Sequence, residues 1–118
     1  MTRAQFEDVV AEALDTLPRE FRRRMENVIV EVRDRPTQKQ LKHAEIPAGD
    51  LLLGLYEGVP LTDRPEGIEP TFPDRVFLFQ DCLEEVCETR AELIEEIRET
   101  VIHEIGHYFG LDHDDMED

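Results

Sequence analysis

Residues 89–113 read TRAELIEEIRETVIHEIGHYFGLDH. Thr89-Arg90-Ala91-Glu92 has the form of a capping box, in which a threonine hydroxyl and a glutamate three residues on satisfy free backbone donors, so a helix is predicted to start at residue 90. Gly110, able to adopt the left-handed conformation that stops a helix and turns the chain, is its predicted end. Advanced at 100° per residue, Ile94, Ile97, Val101, Ile105 and Tyr108 share one stripe, while Glu92, Glu96, Glu99, His103 and His107 lie opposite. The stripe needs a core to pack on, and the two histidines are left facing away from it.

Side chains four apart on a helix are neighbours, so His103 and His107 can both reach one metal ion at about 2.0–2.1 Å through ring nitrogen. A zinc site that does chemistry commonly has three protein ligands and keeps one position for water. The reversal at Gly110 returns His113 as the third ligand. Glu104 follows the first histidine, which directs its carboxylate to the side where a metal-bound water would sit, as a general base that later returns the proton to the leaving amine. Peptide-bond hydrolysis with one Zn²⁺ per chain is the expected chemistry. The alternative is a structural clip in a protein-binding module with weak or no catalysis, its fourth position filled by Asp112, Asp114 or Asp115. Three of the chain's four histidines lie in this segment; the fourth, His43, sits in a polar stretch and reads as a surface residue.

Outward from this helix, the chain has the length of one domain, residues 1–118. Thr2-Arg3-Ala4-Gln5 is another capping box, and Phe6, Val9, Val10, Ala13, Leu14 and Leu17 recur at helical spacing until Pro18. Pro18 starts a short helical turn carrying Phe21 and Met25. β-Branched residues predict a strand over 28–33, and 51–56 and 75–80 read as two more. Residues 34–50 are polar and carry no expected element. Pro60, Pro65, Pro70 and Pro73 with Gly67 make 59–74 an ordered, packed loop. The expected fold is α/β or α+β: a small mixed sheet, a backing helix and a C-terminal active-site helix.

Twenty-nine acidic against 13 basic residues give a net charge of −16, a field that repels phosphate backbones and anionic membranes and favours basic substrates or partners. Nucleic acid and membrane are therefore excluded as expected partners, and a peptide or protein substrate, with a protein partner as a further option, is retained. Arg19, Arg22, Arg23 and Arg24 read as a solvated helix face. No apolar run approaches the roughly 20 residues that span a bilayer, and the first residues lack a secretory h-region, so a cytoplasmic location is expected. Cys82 and Cys87, five apart, fit neither a redox motif nor a zinc knuckle and are expected as free thiols.

The H-E-x-x-H-x-x-G-x-x-H segment resembles that of the zincins, and in its long form the metzincins. That resemblance implies His103, His107 and His113 as zinc ligands, Glu104 as the base, Gly110 as the turn, and Met116, three residues after His113, in the role of the methionine turn. More closely, the chain resembles the small bacterial minimal zincin-like metallopeptidases, with residues 54–62 (GLYEGVPLT) and 72–79 (FPDRVFLF) as further recognisable segments. The resemblance implies a minimal zincin-like domain. Of the two tyrosines, Tyr108 falls on the apolar stripe, which leaves Tyr56 as the candidate oxyanion stabiliser.

Overall fold

Thr2 opens the chain's first helix, α1 (Arg3–Asp15): its side chain accepts from the Gln5 N–H, and the Gln5 side chain accepts from the Thr2 N–H. This is the capping box expected from sequence, seen in a computed structural model that describes residues 1–58 and 74–108. Phe6, Val9, Val10 and Ala13 are buried on one face of α1, as their spacing requires. Pro18 then precedes the short α2 (Arg19–Arg24), which buries Phe21 and ends on three arginines, where the helix dipole favours positive charge.

Among the described residues three strands form one mixed sheet: β1 (Val28–Arg33), β2 (Gly54–Glu57) and β3 (Asp74–Phe79), in the order β1-β3-β2. β1 pairs with β3 in parallel, from Val28 opposite Asp74 to Arg33 opposite Phe79. β2 pairs with β3 antiparallel, from Gly54 opposite Leu78 to Glu57 opposite Arg75. A mixed sheet with helices on it is the α+β architecture expected. β3 is central, and Val76, Phe77, Leu78 and Phe79 are all buried, because both faces of the strand are covered.

Its two faces meet different neighbours. Val76 and Leu78 join Val32 and the residues of α1 in the main core, together with Ile97, Val101 and Ile105 of α5 (Arg90–Tyr108). Phe77 and Phe79 join Leu55 and Cys82 in a second, smaller cluster. Cys82 belongs to α4 (Gln80–Val86), which leaves β3 without an intervening loop. Gln80 at that junction is buried but satisfied: Arg3 Nε donates to its Oε1 at 3.0 Å, and its Nε2 donates to the Met1 carbonyl at 3.0 Å. Both cysteines are free thiols, and burial pushes the Cys82 thiol up from its ordinary range.

Three sequence expectations change. Residues 34–50 contain a helix, α3 (Gln38–His43), whose capping box is Thr37 with Gln40. The box is plain in the sequence, but the helix has only six residues and none is buried, so no apolar period marks it. The strand expected over 51–56 is β2, 54–57: Leu51 is exposed, and the register with β3 starts at Gly54, with Leu53 adding one bond from its carbonyl to Phe79 N–H. The strand expected over 75–80 is one residue earlier, and the segment after it is the helix α4. Of the loop expected over 59–74, Asp74 belongs to β3 and residues 59–73 lie outside the described ones.

Candidate metal centre

α5 begins where its sequence predicts. The Thr89 hydroxyl oxygen accepts from the Glu92 N–H at 3.1 Å, and the Thr89 hydroxyl donates to the Glu92 carboxylate at 3.1 Å. From that cap, Leu93, Ile97, Val101, Ile102 and Ile105 face the core, which sets the rotation of the whole helix. His103 and His107 consequently lie on the outside, both exposed, with ring centroids 4.1 Å apart and planes tilted by 58°. Two imidazoles side by side one turn apart on a solvent-facing stripe are the arrangement that two histidine ligands of one ion require.

Glu104, half-buried, is turned toward the sheet. Its Oε1 accepts the Tyr56 backbone N–H at 2.9 Å. That N–H is available because, among the described residues, β2 is an outer strand. In an antiparallel ladder successive residues face the partner and the free edge in turn; the Leu53 carbonyl accepts from Phe79 N–H on β3, so Gly54 and Tyr56 face outward. The contact spans 48 positions and joins α5 to the strand through a backbone group.

Close approach of the two elements depends on Gly54. A Cβ there would lie 2.6 Å from Thr100 Cγ2 of α5 and 2.9 Å from the Phe77 carbonyl oxygen. Only a residue without a side chain allows this contact. Beside it, Leu52, Leu53, Glu96, Glu99, His103 and Glu104 line a cavity of about 310 Å³. The cavity runs along the outward face of α5 and carries three carboxylates besides the histidine.

Tyr56 serves the site in a way its sequence position did not indicate. Its phenol donates to Asp74 Oδ2 at 2.8 Å, at the first residue of β3, while its N–H holds Glu104. Asp74 and Gly54 were not singled out from sequence, although both lie in segments that resemble the family's. His43, expected at the surface, is exposed at the end of α3. Gly110, His113 and Met116 lie outside the described residues, as do Asp112, Asp114 and Asp115. Among the described residues, no three His, Cys, Asp or Glu side chains converge as a complete metal site; His103 and His107 supply a pair. The donor set fits zinc as far as it extends, since neutral imidazole is a preferred zinc ligand.

Among the described residues no helix is long and apolar enough to cross a membrane. None of the curated proteins compared with the chain matches it. Among solved structures it is similar to a conserved hypothetical protein from T. thermophilus, with a TM-score of 0.57 and 22% identity over 92% of this chain and 94% of that one, a likeness of fold. The profile of the zincin-like metallopeptidases matches residues 25–118, which include the sheet, α5 and the histidine segment. The chain therefore belongs to the zincin-like metallopeptidase family.

Proposed function

We propose that this chain is a zinc-dependent peptidase in which His103, His107 and His113 hold the metal and Glu104 is the general base. The observation that carries the reading is the Glu104–Tyr56 hydrogen bond, because it ties the candidate base to an outer strand beside the histidine pair. A substrate peptide added along the free edge of β2 would be fixed by main-chain hydrogen bonds, with Gly54 and the Tyr56 carbonyl as its partners. Its scissile bond would then lie next to α5.

Zinc held there would supply a Lewis acid that polarises the peptide carbonyl and makes water a stronger acid. The chain's own part is proton handling. Glu104 Oε1 is occupied by the Tyr56 N–H, so its carboxylate is held in one orientation. Oε2 takes the proton of the attacking water and returns it to the leaving nitrogen. The peptide would need no other acid.

Purified chain is expected to hold one zinc per molecule by elemental analysis. Glu104→Ala should retain that zinc and lose about 10²–10⁴ of kcat on a fluorogenic peptide library. His107→Ala should lose the metal as well. Equal hydrolysis by wild type and Glu104→Ala would refute the assignment, and a fourth protein ligand on the metal would favour the clip.

A further inference from the structure

A second cavity, of about 660 Å³, lies between β2 and α3. Tyr56, Glu57 and Gly58 form its strand wall, and Lys39, Lys42 and His43 its helix wall. Lys39 and Lys42 are the only lysines in a chain of net charge −16. Three residues apart on α3, they share one face of it, and both are exposed. Neither makes an ion pair with any described residue, whereas Arg3, Arg33, Arg35, Arg75 and Arg90 all do. The carboxylate in the wall, Glu57, is engaged by Gln40, whose Nε2 donates to its Oε1 at 3.2 Å.

β2 is thus bordered by opposite charges. On the α5 side stand Glu96, Glu99 and Glu104; on the α3 side, two lysines without counter-ions among the described residues and Glu57 held by an amide. Tyr56 joins the two, lining the lysine cavity while its N–H reaches Glu104. At physiological ionic strength charges more than about 8 Å away are largely screened, so the net charge of the whole chain counts for less than the lysines next to a bound group. An ammonium pair flanking an open cavity can seat a carboxylate.

We propose that, resting on the peptidase reading above, the cavity between α3 and β2 is a specificity subsite for a substrate carboxylate, held by Lys39 and Lys42. The carboxylate is either an acidic side chain a few residues from the scissile bond or the peptide's own C-terminus. A peptide lying along β2 brings that group to α3 when its scissile bond is beside α5.

The test uses zinc-loaded chain and rhodamine-labelled octapeptides of Ala, Ser and Leu that carry one Glu, Gln or Lys at each position in turn, with free or amidated C-termini. Binding is read by fluorescence anisotropy and cleavage by mass spectrometry. About a threefold to tenfold preference for a carboxylate at one position is expected, weakening with salt and lost in Lys39→Gln/Lys42→Gln, with cleavage of uncharged peptides unchanged. A preference that survives amidation assigns an acidic side chain, and one abolished by amidation assigns the C-terminus. Binding without charge preference, equal preference in the double variant, or no binding of any peptide overturns the subsite. Charge-selective binding without cleavage would leave the subsite standing and count against the peptidase.

Discussion

Among the described residues the two outer strands flank the same central strand, and their free edges differ. β1 runs parallel to β3 for six residues and carries its own charges: Glu31 lies between Arg33, at 2.5 Å, and Arg75 of β3, at 3.7 Å. Charges on a strand discourage another strand from pairing with it. β2 is four residues long, antiparallel, and contains a glycine and a tyrosine at its outward positions. It has one charge of its own, Glu57, bonded to Gln40 of α3, and the other charges beside it come from the helices, α3 on one side and α5 on the other. An edge can therefore be left free for a ligand when neighbouring elements, more than the strand itself, decide what may approach.

The largest effect should come from closing the space at β2. Gly54→Ala inserts a methyl group against Thr100 and the Phe77 carbonyl, and should cost about 2–3 kcal/mol in urea unfolding while displacing Glu104 from the Tyr56 N–H. Adding Thr100→Ser removes one of the two obstacles, so the double variant should recover part of the loss. Wild-type stability in Gly54→Ala would show that the two elements are not held in contact.

Tyr56→Phe is a finer probe. It deletes the phenol bonded to Asp74 but keeps the backbone donor to Glu104, so about 1–2 kcal/mol of stability should go and kcat should fall by less than about threefold. A loss of about 10² or more in kcat would instead assign the phenol to oxyanion stabilisation, the role its sequence position suggested. The smallest effect belongs to β1: Ile29 is 44% exposed, and Ile29→Thr should change the unfolding free energy by no more than about 0.5 kcal/mol, with unchanged kinetics. A large change there would mean that the β1 edge is covered in solution.

Much of this was legible because it is local. Capping boxes at Thr2 and Thr89 and the 3.6-residue stripe on α5 marked both long helices and put His103 and His107 on the outer face before any fold was known. The β-branched run of β1 and the apolar run of β3 located these strands to within a residue. What was not legible depends on partners far along the chain. Neither the parallel pairing of β1 nor the antiparallel pairing of β2 follows from the strands' own residues. The Glu104–Tyr56 bond uses a backbone N–H, a group every non-proline residue has, so no residue type announces it. The lysine cavity needed α3, which has no buried face to give it a periodic pattern.

The strand order β1-β3-β2 also governs when the sheet can exist. β1 and β2 make no ladder with each other; both wait for β3, and Val28 meets its partner only when Asp74 has been made. During synthesis two short strands must therefore remain unpaired while the chain grows past them, and closing such distant contacts slows folding. That interval exposes the nascent chain to aggregation. α1, capped by neighbouring residues, can begin to form much earlier, but its apolar face lacks the β3 and α5 surfaces it packs on until they too are synthesised.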